Sequence, residues 1–328
     1  MKTDNTTCII AGRSLFYKII KEEQVMSGFL MAMQKSVELG LLYAIMALGV
    51  YITFRILDFP DLTVDGSFTT GAAIAALCIT SDIHPLIGTV LAFLGGGIAG
   101  MITGLIHTKG KINALLSGIL MMIALYSINL RIMGKANIGI VDTDTVLTPL
   151  SQGYTMLIVM GVFALLVKFG LDWFLRTEIG LSLRATGNNP RMIRSFGVHT
   201  DSTLILGVSL SNALVALSGA LVAQSQGFAD IQSGVGMIVV GLASVIIGEA
   251  IFGHRTIARA TFAVLLGAVL YRVIVAIALR LQMNATDMKL LTAVIVIVAL
   301  TLPMIRRSVN QRNISRQRAI QYTKEGGE

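Results

Sequence analysis

Nine apolar stretches, each long enough to cross a lipid bilayer as a helix, run through this chain. A helix needs about 20 apolar residues to span the hydrocarbon layer. Only 13% of the residues are charged, whereas soluble domains carry about 25%. The sequence therefore predicts an all-α polytopic membrane protein with about nine spans, within a range of eight to ten. The candidate spans are residues 34–56, 62–80, 84–107, 113–132, 153–175, 203–224, 236–253, 260–281 and 289–305.

Charge alternates between the connections of these spans. The connections 107–111, 176–199 and 254–259 are basic, whereas 134–151, 225–235 and 282–288 are acidic or nearly neutral. Cytoplasmic loops carry the excess of lysine and arginine, so we expect the basic set and the C-terminus to be cytoplasmic. Nine spans place the N-terminus outside, whereas ten spans, or a re-entrant segment near 57–70, place it inside.

The two ends of the chain differ from the membrane domain, residues 34–305. Residues 1–33 are polar in part and suit an interfacial amphipathic helix, or an extension that depends on whether Met1 or Met26 is the start. Residues 306–328 form a basic tail that we expect in the cytoplasm. The net charge of +8 follows from the positive-inside bias and predicts no nucleic-acid partner.

A motif that occurs twice in the sequence indicates an inverted repeat. "FPDLTVDGSF" begins at Phe59 and "FADIQSGVGM" begins at Phe228, and each follows one apolar stretch and leads into another. The charge pattern places them on opposite sides. Inverted repeats whose broken helices meet near the solute site have this signature. Within the first half, Gly96, Gly100 and Gly104 share one helix face, a spacing that favours close helix packing.

Known catalytic and nucleotide-binding motifs are missing from the sequence. It contains no glycine-rich phosphate loop of the form Gly-x-x-x-x-Gly-Lys and no His-Glu-x-x-His or Gly-x-Ser-x-Gly motif. The two cysteines are far apart, and the four histidines show no ligand spacing. We therefore expect no metal, no cofactor and no enzymatic activity in this chain.

Polar residues at two places are candidates for a solute pathway. Asp61, Thr63, Asp65 and Ser67 lie where a span begins; they either line a broken helix or belong to an ordinary turn that caps the next helix. Glu249 ends an apolar stretch. It either faces the pathway or reaches the interface and pairs with a nearby arginine, Arg255 or Arg259.

The most unusual connection is "RTEIGLSLRATGNNPRMIRSFGV", residues 176–198. It can form two short amphipathic helices on either side of a turn at Gly187–Pro190. A basic loop resting on anionic headgroups would explain its arginines, but not the two flanking helices.

This connection resembles the cytoplasmic coupling loop of ABC-importer permeases of the branched-chain amino acid and ribose type. Their pattern is roughly Thr-x-x-Gly, then Arg-Ala-x-Gly-x-Asn, then Gly-Val. "DLTVDG" from Asp61 and "GLASVIIGEAIFG" from Gly241 are similar to two further elements of that family, in the same order. Asp65 is an extra residue, Glu249 replaces a small residue, and Arg191 and Arg194 stand where the family has small residues. The candidate coupling-loop residues are Thr177, Gly180, Arg184, Ala185, Gly187, Asn188, Asn189, Arg191, Arg194 and Gly197.

The resemblance implies a transport subunit in a bacterial cell membrane. Two copies, expected as a homodimer, would form the pathway, two separate ATPase subunits would bind the coupling helices, and an extracytoplasmic binding protein would deliver solute. An amino acid, branched-chain or aromatic, is the expected solute, since the spans offer few polar groups for a sugar. A sugar or nucleoside importer, or an ion-coupled secondary transporter, is the alternative.

Overall fold

The computed structural model describes residues 28, 31–140, 145–148, 155–280, 290, 292–298 and 301. Within these residues, seven helices are long and apolar enough to cross a membrane, and an eighth apolar helix is shorter. The protein is an all-α polytopic membrane protein. Its long helices are α1 (Met31–Ile56), α2 (Thr63–Thr80), α3 (Pro85–Thr108), α4 (Ala114–Met133), α5 (Thr155–Phe174), α8 (Thr200–Gln226) and α10 (Ile257–Arg280).

Three shorter helices and two short strands connect or follow these long helices. The apolar helix α9 (Met237–Phe252) precedes α10, and two polar helices, α6 (Glu178–Asn188) and α7 (Pro190–Ser195), lie between α5 and α8. Strand β1 (Asn137–Gly139) pairs antiparallel with β2 (Phe228–Asp230), with Ile138 opposite Ala229.

The helices agree with eight of the predicted spans to within three residues at either end. Of the ninth, 289–305, the described residues 290, 292–298 and 301 are helical. The expected tail, 306–328, lies outside the described residues. So does the expected N-terminal segment, apart from residue 28 and residues 31–33, which belong to α1.

Local sequence signals explain several helix ends. His84 and Asn113 accept hydrogen bonds from Leu86 N and Leu115 N, and so cap the starts of α3 and α4. Gly134 and Gly227 end α4 and α8 with φ of 68° and 76°. These are left-handed conformations that glycine adopts without strain.

The bundle has a basic end and a far end. The basic end carries Lys109, Arg184 and Arg255. Four helices end there (α1, α3, α5 and α9), and three begin there (α4, α8 and α10). The far end carries the β1–β2 pair. Helix α1 thus runs toward the basic end before its Phe-x-Asp turn, whereas α8 runs away from it before the second Phe-x-Asp turn. The two halves therefore run in opposite senses, as an inverted repeat requires.

Helices α1 and α8 form the centre of the bundle, and most of their residues are buried, whereas α4 and α5 are mostly exposed. Three serines of α8 bind α8 to its neighbours: Ser209 donates to Gly97 O of α3, and Ser211 and Ser218 donate to carbonyls of α1, at 2.7–2.8 Å. Hydroxyl groups join transmembrane helices in this way where lipid offers no competing partner.

The predicted small-residue face of α3 lies against α8. A Cβ atom on Gly96 would collide with Ala216 and the Asn212 carbonyl, and one on Gly100 would collide with the Val208 carbonyl. Gly104 faces the Ile205 backbone in the same way. These three glycines let the backbones of α3 and α8 approach closely, which increases dispersion contact between them.

A buried ion pair that the sequence analysis missed joins α5 to α10. Lys168 Nζ lies 2.6 Å from Asp172 Oδ2, one helical turn along α5, and both side chains are buried. Thr261 of α10 donates to the other carboxylate oxygen at 2.6 Å. The Asp172 carboxylate therefore has a partner at each oxygen within the bundle.

Gly100→Ala is expected to destabilise the protein by about 1–3 kcal/mol, because the added methyl group overpacks a backbone contact. Gly170→Ala is the matched control, since it also lies in a long helix and its Cβ would meet nothing within 4 Å. It should stabilise the helix by about 0.5–1 kcal/mol. Thermal unfolding of the purified chain in detergent measures both; equal effects would contradict the packing role of Gly100.

Asp172→Ala is expected to lower the free energy of unfolding by about 3–5 kcal/mol, because it leaves the Lys168 ammonium unpaired in an apolar setting. Replacing both residues, as Lys168→Met with Asp172→Leu, should recover most of that loss, since no charge then remains buried. The comparison of the two unfolding midpoints is the measurement. If the double variant is no more stable than the single one, the loss does not arise from an uncompensated charge.

Candidate functional site

Residues 176–198, here named the coupling segment, fold into the two short helices that the sequence predicts. Thr177 caps α6 by accepting from Gly180 N at 3.3 Å, and Asn189 caps α7 by accepting from Met192 N at 3.1 Å. The predicted four-residue turn at Gly187–Pro190 is shorter than expected. Helix α6 continues through Asn188, so that Asn189 alone separates the helices.

The inner face of α6 is fixed to the basic end of the bundle. A Cβ atom on Gly187 would collide with the Ile56 carbonyl at the end of α1, and one on Gly180 would collide with the end of α5. Leu183 is fully buried and packs beside Gly207 of α8. Because two of these contacts involve backbone atoms, α6 cannot shift without moving the ends of α1 and α5.

The outer face of the coupling segment is exposed and combines apolar with basic side chains. Ile179, Leu181, Met192 and Phe196 are each more than half exposed. Such a cluster of large exposed apolar groups on polar helices is typical of a protein interaction surface. Three arginines of the segment are exposed as well: Arg191 and Arg194 on α7, and Arg184, which lines a cavity at the basic end.

The arginines of this surface differ in their contacts. Arg194 donates to Thr200 at 2.7 Å and lies 3.6 Å from an oxygen of Asp201, so it ties α7 to α8. Arg191 is exposed and makes no ion pair within the described residues. Gly197 ends the segment with φ of 84°. The remaining predicted loop residues, Ala185 and Asn188, lie in the last turn of α6.

A cavity of about 730 Å³ opens at the basic end between α1, α6 and the α9–α10 connection. Glu249 lies on its wall and pairs with Arg55 at 3.0 Å. The prediction that Glu249 pairs with Arg255 or Arg259 is therefore wrong. Arg259 donates instead to the Phe252 carbonyl at 2.6 Å. Arg55 belongs to a π-helical turn, Ile52–Ile56, an irregularity that is frequent at functional sites.

Three of the four predicted pathway residues at the start of α2 are buried between helices. Asp61 accepts from Thr63 N at 2.9 Å and from Asn212 Nδ2 of α8 at 2.6 Å. The Thr63 hydroxyl lies 2.9 Å from that of Thr103 in α3. Ser67 is also fully buried. In this conformation Asp61 and Thr63 connect the start of α2 with α8 and α3, whereas Ser67 Oγ has no hydrogen-bond partner among the described residues. The place of all three residues in a pathway stays a prediction.

The start of α2 lies within the bundle rather than at its surface. Asn212, the partner of Asp61, is twelve residues beyond the start of α8, which corresponds to about 18 Å at 1.5 Å per residue. A helix that begins at this depth leaves its first N–H groups without water. Asp61, which accepts from Thr63 N, supplies a local acceptor there.

Asp65, the fourth residue, joins the starts of the two broken helices. Its carboxylate accepts from Gly236 N at 2.9 Å and from Ile238 N at 2.8 Å, at the first turn of α9. A negative charge at a helix N-terminus is favourable because the free N–H groups point at it. Asp65 therefore caps α9 from the first turn of α2.

The two Phe-x-Asp turns have the same hydrogen-bond pattern. Asp230 accepts from Gln232 N, two residues on, and from Asn137 Nδ2 of β1. Asp61 likewise accepts from the N–H two residues on and from an asparagine of another segment. The repeated motif thus has the same aspartate-centred hydrogen bonds in both halves, although Phe228–Asp230 forms strand β2 and Phe59–Asp61 does not.

Comparison with known proteins identifies the family. A family model described as "Branched-chain amino acid transport system / permease component" matches residues 33–302. The chain is 44% identical over 289 residues to a tyrosine transport system permease protein of Clostridioides difficile, covering 88% of this chain and 95% of that one.

Two other relatives are more distant. Identity to the ribose import permease of Escherichia coli K12 is 23% over 177 residues, 53% of this chain and 55% of the relative. Identity to a probable branched-chain amino acid transport permease of Methanocaldococcus jannaschii is 26% over 189 residues, 53% and 59% of the two chains. The chain belongs to the family of permease components of branched-chain amino acid transport systems.

Proposed function

We propose that this chain is the pathway-forming permease subunit of an ABC importer and that its coupling segment binds separate ATPase subunits. The observation that carries this proposal is the two-sided construction of α6. Its inner face, with Gly180, Leu183 and Gly187, is packed on the bundle. Its outer face, continued by α7, exposes large apolar groups and Arg191, which makes no ion pair within the described residues. A second permease copy would complete the pathway in the bacterial cell membrane.

Force applied to the coupling segment would reach the pathway through packed contacts. Gly187 lies on the Ile56 carbonyl, and the neighbouring Arg55 is paired with Glu249 of α9. A displacement of α6 therefore moves the end of α1 and, through the ion pair, the end of α9. ATP hydrolysis by the partner subunits would supply that displacement, since the sequence lacks a phosphate-binding loop.

An amino acid with an aromatic side chain is the solute that we propose. Support comes from the relative named as a tyrosine transport permease, which matches nearly the whole chain. The ribose permease matches about half of each chain at lower identity. A binding protein outside the membrane would deliver the amino acid to the far end of the bundle.

Charge reversal at Arg191 tests the coupling surface. Arg191→Glu should weaken the binding of the ATPase subunits about tenfold, or ~1.4 kcal/mol, because a basic contact becomes repulsive toward an acidic partner surface. Arg131→Glu is the control, since Arg131 is also an exposed arginine but lies at the end of α4, away from the coupling segment. Co-purification and ATPase activity of the assembled complex are the measurements. Equal loss in both variants, or none in either, would contradict the assignment.

Uptake by cells that express the full transporter tests the solute. Labelled tyrosine should accumulate, and excess phenylalanine should reduce its uptake, whereas ribose should not. Accumulation should continue when the ion gradients are dissipated and stop when ATP is depleted. Uptake of ribose or a nucleoside with no amino acid uptake would reject the proposed solute, and uptake driven by an ion gradient would favour a secondary transporter.

A further inference from the structure

A second cavity, of about 380 Å³, lies in the far half of the bundle between the two halves of the chain. Tyr43 of α1 and Phe68 of α2 come from the first half, and Phe228, Asp230, Gln232 and Ser233 come from the second. Solute sites of transporters with inverted repeats form at such a boundary, beside broken helices. The volume lies at the small end of the range for ligand sites, about 300–1,000 Å³, which suits a single amino acid.

One wall of this cavity is aromatic and held in a fixed arrangement. The rings of Tyr43 and Phe68 are stacked with centroids 6.1 Å apart and planes 8° apart. The guanidinium carbon of Arg272 lies 4.8 Å from the Tyr43 ring centroid, within the distance of a cation–π contact. Phe228 extends the aromatic surface and is 42% exposed, so its ring is accessible at the cavity. A planar apolar side chain would find favourable stacking partners here.

Strand β2 and the residues after it also bring polar groups to the cavity, and one of these lacks a hydrogen-bond partner among the described residues. Ser233 Oγ is buried and has no hydrogen-bond partner among the described residues. A buried hydroxyl without a partner is unfavourable, and a bound polar group would remove that cost. Beside it, Gln232 is exposed and carries amide donors, and Asp230 contributes a carboxylate.

We propose that this cavity is a solute site for a zwitterionic aromatic amino acid. The aromatic ring of the solute stacks on the accessible Phe228, beside the buried Tyr43–Phe68 pair. The ammonium group is attracted by Asp230, and the carboxylate accepts from Ser233 and Gln232. This inference rests on the proposed function, since it assigns a site within the bundle to the solute class proposed above. It places the solute contacts on the second Phe-x-Asp turn, which the sequence analysis did not select.

Thiol protection tests the site directly. In a background with Cys8 and Cys78 replaced by alanine, Met237→Cys introduces a single thiol into the cavity of the purified full-length chain at a partly exposed lining residue to which no solute contact is assigned. Tyrosine or phenylalanine should slow its reaction with a small maleimide by the factor 1 + [L]/Kd, about threefold when the ligand is at twice Kd. Ribose should have no effect. Ser195→Cys, which places an exposed thiol on α7, should react at the same rate with and without either amino acid.

Two phenylalanine variants then show whether thiol protection depends on the aromatic side chain at the cavity. Phe228→Ala should abolish the protection of the Met237→Cys thiol, whereas Phe262→Ala should retain it, because Phe262 is also 42% exposed but lies on α10 away from this cavity. Tyrosine uptake by the assembled wild-type transporter is measured in parallel. If tyrosine is taken up but the thiol is not protected, the proposed site is wrong and the proposed solute stands. The same holds if protection survives Phe228→Ala. Absence of amino acid uptake overturns the proposed solute instead.

Discussion

The start of α9 lies against the first turn of α2, and its free N–H groups are taken up by the carboxylate of Asp65. At membrane depth, backbone groups without an internal partner cost several kcal/mol each. A helix of 16 residues, about 24 Å long, does not cross a hydrocarbon layer of about 30 Å, so the chain must reach its start by non-helical backbone. Asp65 makes that arrangement possible, and it does so from the other half of the chain.

The surrounding structure follows from this need to provide hydrogen-bond partners for backbone groups inside the bundle. The chain between α8 and α9 pairs with β1 through backbone hydrogen bonds and is further held by Asp230. Asp61 holds the start of α2 by accepting from Thr63 N, and it accepts a second hydrogen bond from Asn212. Elsewhere the helices are continuous, and their contacts use small residues and serine hydroxyls, as at the α3–α8 interface.

The sequence predicted the features that depend on local pattern. Apolar stretches set the helix bounds within a few residues, and the loop 176–198 was correctly predicted as two short helices. The sequence was less informative where a hydrogen-bond or ion-pair partner lies far away along the chain. Asp65 binds residues more than 170 positions away, and Glu249 pairs with Arg55, 194 positions away, rather than with the nearby Arg255 or Arg259. The Lys168–Asp172 pair was missed although its four-residue spacing is local.

The contacts form one physical connection from the coupling segment to the far half of the bundle. Gly187 meets the end of α1, and Arg55 at that end holds Glu249 near the end of α9. The start of α9 is held by Asp65, and Met237, its first residue, lines the cavity of Tyr43 and Phe68. A short helix fixed at both ends moves as a rigid unit more readily than it bends. Under the proposed function, motion imposed on α6 at the basic end would reach the cavity wall through α9.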